Sequence, residues 1–271
     1  MSNKLQKHLL ETLNYFHNFC EDHNLEYFLI GGTLLGAVRH KGFIPWDDDI
    51  DVVMPRRDYD KLKLLANKIE LPYVYKDYST DKNYIYPFAK ITQSDLLFEE
   101  IYYKPFQSGV WIDVFPLDYT FDNIVFRKIH FTLMDVVRKS LILKYGSFKL
   151  NKRSSLVTNT SKLLHPLFEK LPRKTFNFLF ESLEDIPNTY FKQHHNLANL
   201  YGAWGILEVA PKDLFDEKEL YEFEGYKFWG IKNADYWLQK VYGDYMELPP
   251  EHKRRSEHIG HLIGLNHPDI N

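Results

Sequence analysis

The sequence predicts an α+β fold, in which a mixed β-sheet is covered by helices and carries a helical annex. Short β-branched and aromatic runs alternate with amphipathic helical patterns over residues 1–120. Residues 121–200 then show long helical periodicity and few strand signals. Residues 201–271 return to hairpin and helix patterns. We therefore expect a core in residues 1–120, a basic helical annex in 121–200, and a C-terminal segment in 201–271 that completes the core.

The individual elements follow from residue spacing. Apolar residues at helical intervals predict a helix over roughly residues 3–23, and the run Leu25–Ile30 predicts a strand that ends at a Gly-Gly turn. Thr33 is placed to cap a helix that runs to His40. The other predicted elements are a strand over Ile50–Met54, a helix from Arg56 to Ile69, strands over Tyr84–Thr92, Leu96–Tyr103 and Val110–Phe115, a hairpin over Tyr221–Trp229, and a helix through Tyr236, Leu238 and Val241.

Composition narrows the class of protein. The 271 residues are 44% hydrophobic and 26% charged, which is typical of a soluble globular protein. A single cysteine, Cys20, excludes an internal disulfide framework and a cysteine-based zinc site within the chain. The net charge of -3 does not require nucleic acid, and we expect no nucleic-acid partner. The sequence shows neither a signal-peptide core nor a membrane-spanning apolar stretch, so we expect a cytoplasmic protein.

Residues 127–174 are the most basic part of the chain. Twelve Lys or Arg residues stand there against two acids, Asp135 and Glu169, an excess of +10 in a chain of net charge -3. We expect this segment to face an anionic partner, either the inner surface of a membrane or a lipid-linked glycan precursor. A solvated face that only keeps the annex soluble is the alternative interpretation.

The stretch Asp49-Ile50-Asp51 is the first sign of a reactive site. If these residues begin a strand, Asp49 and Asp51 point to one face while Ile50 points into the core. Two adjacent carboxylates repel each other unless a cation lies between them, and hard oxygen ligands suit Mg²⁺ or Mn²⁺. An acidic run such as Asp47–Asp51 can also be a solvated loop or a helix-capping patch, so this alternative stays open.

Two other features indicate phosphate chemistry at the same place. The Gly31-Gly32 turn lacks side chains, so the N–H groups of Gly32 and Thr33 can approach a phosphate at a helix N-terminus. Asp113 lies in an otherwise apolar strand, where an unpaired carboxylate is costly, and it therefore needs a metal or another cation. Each feature alone also fits an ordinary turn or an exposed edge acid, whereas the combination is far more specific.

Four segments carry a family resemblance. GGTLLGAVR at 31–39, WDDDID at 46–51 and WIDVFPLD at 111–118 resemble the LicD family of phosphocholine transferases, which includes fukutin-like proteins and is related to the nucleotidyltransferase fold. YGDYMELPP at 242–250 resembles the C-terminal signature of the family. The resemblance implies a nucleotidyltransferase-like catalytic core in residues 1–120. The zinc site of the fukutin-like branch uses cysteines, so with Cys20 alone it cannot be present here.

The resemblance also implies an activity. A phosphorylated alcohol, with phosphocholine as the first candidate, would move from a CDP-activated donor such as CDP-choline to a hydroxyl of a teichoic acid, lipopolysaccharide or capsule precursor, with release of CMP. Asp49 and Asp51 would bind Mg²⁺ or Mn²⁺, and Asp113 would be a third ligand or the base. The residues expected to bind the donor and its pyrophosphate are Gly31, Gly32, Thr33, Arg39 and Lys90.

Two alternatives share these residues. A nucleotidyltransferase would move a nucleoside monophosphate from an NTP and release pyrophosphate. A non-catalytic nucleotide- or glycan-binding regulator would keep the fold and have a broken acid set, whereas all three acids are present here. The sequence leaves choline, glycerol, ribitol and ethanolamine open as the alcohol. We expect a lipid-linked acceptor, which would bring the protein to a membrane.

Overall fold

A computed structural model of the protein describes residues 4–149, 155–190, 194–255 and 260–265. Within these residues the helices are α1 (Lys4–His23), α2 (Gly31–His40), α3 (Arg56–Leu64), α4 (Ile124–Tyr145), α5 (Ser155–Glu169), α6 (Arg173–Tyr190) and α7 (Ala234–Tyr242). The strands are β1 (Phe28–Leu29), β2 (Asp51–Pro55), β3 (Tyr73–Lys76), β4 (Ala89–Glu100), β5 (Phe106–Thr120), β6 (Asn196–Ala198), β7 (Val209–Pro211), β8 (Lys218–Phe223), β9 (Tyr226–Ile231) and β10 (Gly260–Leu265).

The strands form one mixed sheet. The main order is β10–β4–β5–β2–β1–β9–β8, with β3 added beside β4, β6 beside β5, and β7 beside β6. β2 is parallel to β5, whereas β4 is antiparallel to β5 and β1 is antiparallel to β2. Helices α1, α2, α3 and α6 pack on this sheet, and the predicted α+β class is confirmed.

The centre of the sheet is covered on both faces. Val52 and Val53 are successive residues of β2 that point to opposite faces, and both are fully buried. Helices α2 and α3 pack against β2, and α1 packs against β4 and β5. This burial fixes the strand register, because a slip of one residue would move apolar side chains to the wrong face.

Two predicted strands are in fact one. The patterns over Tyr84–Thr92 and Leu96–Tyr103 fall on the single strand β4, whose pairing with β5 is irregular in its middle. β4 begins only after Pro87, which has no N–H to donate to a neighbouring strand. The N–H of Ala89 is bound by the hydroxyl of Tyr59 at 2.9 Å.

Other element bounds also differ from the predictions. β1 is shorter than Leu25–Ile30, and β5 is longer than Val110–Phe115. The helix predicted to run from Arg56 to Ile69 ends earlier, at Leu64. A short 3₁₀ turn, Ala66–Lys68, follows it. The hairpin is confirmed as β8 and β9, and it turns at Gly225 with φ of +84°. The helix after it is α7.

The predicted cap at Thr33 is wrong. Helix α2 begins at Gly31, so Thr33 lies inside the first turn, where it is buried. Its hydroxyl accepts a hydrogen bond from the N–H of Asp51 at 2.9 Å. Thr33 therefore joins the start of α2 to the start of β2, and it does not cap the helix because Ile30 occupies the N-cap position.

The annex consists of α4, α5 and α6. The side chain of Asn123 caps α4 by accepting from the N–H groups of Val125 and Phe126, and the helix ends at Gly146 with φ of +65°. After α6 the chain returns to the sheet through β6, which pairs with β5. Residues 150–154 of the basic segment lie outside the described residues. Among the described helices, we find none long and apolar enough to cross a membrane. The division into core, annex and completing segment stays a prediction.

Candidate active site

Three charged residues form a row across three strands. Asp51 of β2 pairs in register with Asp113 of parallel β5, and Lys90 of β4 pairs with Asp113 from the other side. Directly paired residues on neighbouring strands project from the same face of a sheet. The structure thus brings Asp51, Asp113 and Lys90 together at one face.

The cation that balances Asp113 is Lys90. Its Nζ lies 2.7 Å from Asp113 Oδ1, and the two side chains are 2% and 9% exposed. The same Nζ lies over the rings of Tyr86 and Trp111, at 3.9 and 4.1 Å from their centroids. The sequence argument required a cation beside this carboxylate, and the protein itself supplies one.

The glycine pair brings carboxylates close to a helix N-terminus. Gly31 has φ of +60°, and a Cβ on it would lie 3.0 Å from Asp51 Oδ2. A Cβ on Gly32 would lie 2.5 Å from Asp47 Oδ2, which is too close for contact. The missing side chains therefore make room for two acids beside the first turn of α2, where the helix dipole favours negative charge.

Asp47, Asp48 and Asp49 are a second acidic group. One carboxylate oxygen from each lies within 4.8 Å of the others, and all three residues are partly buried. Asp49 precedes β2, so the strand alternation used in the sequence argument does not apply to it, although its carboxylate lies near enough to Asp51 to raise the pKa of that acid. Three converging carboxylates are the donor chemistry that Mg²⁺ or Mn²⁺ prefers, so these residues fit a divalent cation.

Negative charge accumulates around Asp51. Burial raises the pKa of its carboxyl well above the ordinary value, and four neighbouring carboxylates raise it further. Those neighbours are Asp49, Asp113, Asp47 and Glu208. A bound cation would relieve this repulsion without protonating the acids.

One cavity of about 1050 Å³ joins these groups. Thr33 lies buried beneath the first turn of α2, outside the cavity wall. The other residues singled out from the sequence line the cavity, and they are Gly31, Gly32, Arg39, Asp49, Asp51, Lys90 and Asp113.

Arg39 holds the C-terminal segment at the cavity. Its Nη1 donates to the carbonyl oxygens of Tyr245 at 2.5 Å and Glu247 at 3.3 Å. Burial lowers the pKa of the guanidinium. The YGDYMELPP segment thereby becomes part of the cavity wall, a contact that spans most of the chain.

Glu208 is a site residue that the sequence reasoning missed. It is 4% exposed, lines the cavity, and accepts the N–H of Trp204 at 2.9 Å. A Cβ on Gly202 would lie only 1.9 Å from its carboxylate, so that glycine provides its space. Burial raises the pKa of Glu208 to about 7. The sequence around this acid carried no periodicity or motif that could have marked it.

Glu208 gives a testable pH dependence of stability. Its folded-state pKa of about 7 lies above the ordinary 4.5, so its stabilising contribution is complete below pH 4.5 and is lost as pH rises through about 7. Over this window, wild type should lose up to about 3 kcal/mol of unfolding free energy that Glu208→Gln does not lose. Urea denaturation of both proteins at intervals from pH 4 to pH 8 measures the difference. Parallel pH profiles would contradict the assignment.

Comparisons with known proteins show the family of the chain. The family model "LicD/FKTN/FKRP, nucleotidyltransferase domain" matches residues 24–145, which contain all the site residues that the sequence analysis named. The lipopolysaccharide cholinephosphotransferase LicD of Haemophilus influenzae is 32% identical over 257 residues, covering 92% of this chain and 93% of that protein.

Two further matches cover only a short part of this chain. Human ribitol 5-phosphate transferase FKRP is 48% identical over 44 residues, which is 16% of this chain and 9% of that protein. An uncharacterised protein of Rickettsia prowazekii, RP689, is 36% identical over 70 residues, 26% of each chain. The near full-length match to the Haemophilus protein and the matched domain confirm the resemblance, and the chain belongs to the LicD family of phosphocholine transferases.

Proposed function

We propose that this protein transfers phosphocholine from CDP-choline to a hydroxyl of a glycan precursor of teichoic acid, lipopolysaccharide or capsule, and releases CMP. The observation that supports this most is that Asp47 and Asp49 of the acidic cluster and the Asp51–Asp113–Lys90 row line one cavity. The Haemophilus relative, a lipopolysaccharide cholinephosphotransferase by name, supports the substrate class.

The acidic residues would hold a divalent cation. Asp47, Asp48 and Asp49 are the proposed ligands, with Asp51 beside them, and a bound Mg²⁺ or Mn²⁺ supplies charge neutralisation at the phosphates. The acceptor oxygen attacks the phosphorus that bears the alcohol, the bond to the CMP oxygen breaks, and the hydroxyl proton passes to a carboxylate. Asp113 is the proposed acceptor of that proton, and Lys90 holds it in place.

The cavity wall favours a cationic alcohol, choline or ethanolamine, over glycerol and ribitol, and the name of the Haemophilus relative favours choline of the two. Aromatic side chains and carboxylates together attract a quaternary ammonium ion, whereas glycerol and ribitol carry no charge. The aromatic residues of the wall include Trp46, Tyr86, Trp204, Tyr242 and Tyr245.

A binding screen tests the donor. Calorimetry with CDP-choline, CDP-glycerol, CDP-ribitol and CDP-ethanolamine, each with and without Mg²⁺ or Mn²⁺, should give the tightest saturable binding for CDP-choline with the cation present. Failure of all four donors to bind would overturn the proposal. Binding of CTP, with pyrophosphate released on reaction, would instead identify a nucleotidyltransferase.

We further propose that the acceptor is lipid-linked and that the protein acts in the cytoplasm, at the inner face of the membrane. The basic excess of residues 127–174 supports this placement, because cytoplasmic leaflets carry anionic lipids.

A further inference from the structure

Helix α5 has the reverse of the polarity expected for a surface helix. Leu163 and Leu167 are 79% and 65% exposed, whereas the buried side chains are Thr158, Ser161 and His165. A helix on the surface of a protein in water normally buries its apolar stripe and exposes its polar residues. The outward face of α5 therefore has the composition of a contact surface for an apolar partner.

The two neighbouring helices expose apolar side chains as well. On α4 the exposed apolar residues recur at intervals of three and four, so they lie in one line along the helix. On α6, Phe178 is 67% exposed. We call the whole set the apolar annex surface, and it comprises Phe126, Ile129, Leu133 and Val136 of α4, Leu156, Leu163 and Leu167 of α5, and Phe178 of α6.

Positive charge predominates on α4 and α5. The two acids of these helices are already neutralised, since Asp135 binds Arg138 and Lys139 at 2.8 and 2.5 Å, and Glu169 binds Lys104 at 2.6 Å. Helix α6 also exposes two acids, Glu181 and Asp185. The exposed lysines of the same helices and their ends are Lys128, Lys139, Lys162, Lys170 and Lys174. Exposed leucines interleaved with lysines form the pattern of helices that lie in a membrane interface.

We propose that α4, α5 and α6 dock on an anionic lipid bilayer through the apolar annex surface. The leucines and Phe178 enter the boundary between headgroups and acyl chains, and the lysines contact lipid phosphates. The basic segment alone predicted only electrostatic attraction of the protein to the lipid headgroups. The exposed apolar side chains would in addition insert into the bilayer.

Docking would place the reaction cavity close to the lipid. Arg138, Leu141 and Ile142 of α4 line the cavity, so the helix that carries part of the apolar annex surface also forms part of the site wall. A helix is roughly 10 Å across, and this diameter sets the scale of the distance between the bilayer surface and the cavity. The idea that docking serves a lipid-linked acceptor rests on the proposed function. The docking itself does not depend on that function.

Vesicle co-sedimentation tests the surface directly. Wild type should bind phosphatidylcholine vesicles that contain phosphatidylglycerol more tightly than pure phosphatidylcholine vesicles, and the binding should weaken with salt. Leu163→Glu and Leu167→Glu should each bind about tenfold more weakly or worse, because each loses an inserted side chain and adds a repelled charge. Leu64→Glu is the matched control, since Leu64 of α3 is 81% exposed, and it should bind like wild type.

Three outcomes would overturn the proposal. The first is that wild type binds neither kind of vesicle at low salt. The second is that Leu163→Glu and Leu64→Glu lose equal amounts of vesicle binding. The third is that wild type is a dimer that does not bind vesicles, and that Leu163→Glu makes it monomeric. CDP-choline binding by the same variants should stay at the wild-type level. Because vesicle binding needs no nucleotide, its failure and a failure of the proposed donor are separate results.

Discussion

Asp49→Asn and Asp51→Asn are each expected to reduce phosphocholine transfer by at least about 100-fold while the fold is retained. Each change removes a carboxylate from the acidic part of the cavity that would hold the divalent cation, and that cation would balance the charge on the phosphates as the reaction proceeds. The fold should tolerate the change at Asp51 in particular. Burial already disfavours its ionised form, and Asn has nearly the same shape without the charge.

The measurement is the rate of CMP release from CDP-choline with acceptor present, together with thermal unfolding of each variant. Asp81→Asn is the matched control, since Asp81 is an acid with a side chain 33% exposed that does not line the cavity. It should keep wild-type transfer. Near wild-type turnover by Asp49→Asn or Asp51→Asn would overturn the mechanism, and unfolding of both would indicate a structural role.

Lys90→Met is expected to give the largest loss of stability, about 3–5 kcal/mol of unfolding free energy. The substitution leaves the Asp113 carboxylate buried in the sheet without the cation that lies 2.7 Å from it. Denaturant unfolding of wild type and variant measures the loss. Lys232→Met is the comparison, because Lys232 and Glu217 form an exposed pair, and its effect should be small.

The double variant Lys90→Met with Asp113→Asn separates stability from chemistry. Removing both charges should restore much of the stability, because an uncompensated buried charge no longer remains. Transfer should stay low if Asp113 takes part in the reaction. Recovery of both stability and transfer would show that the pair is only structural.

Local sequence features predicted part of the site. Gly31, Gly32, Asp51 and Asp113 could be found because glycines in a turn and acids in apolar strands are unusual at the level of a few residues. Asp49 was selected by a strand alternation that does not reach it, since β2 begins at Asp51, and the structure groups its carboxylate with those of Asp47 and Asp48.

The remaining contacts depend on which distant segments become neighbours. Lys90 meets Asp113 through the antiparallel register of β4 and β5, and no periodicity within either strand specifies that register. Arg39 contacts carbonyls more than 200 residues away, near Tyr245, and Glu208 enters the cavity from the segment after the annex. Periodicity reports on one element at a time, so these contacts could not be derived from it.

The row of Asp51, Asp113 and Lys90 makes the proposed reactive centre a product of strand pairing. The three residues come from three separate strands, and each strand alternates its faces, so a shift of one residue in β5 would turn Asp113 to the opposite face. A sheet in which these three strands are not all paired in register therefore cannot bring the three residues together. Catalytic competence should appear in a single late step of refolding, together with amide protection in β5, so that enzyme activity itself reports when the sheet has closed correctly.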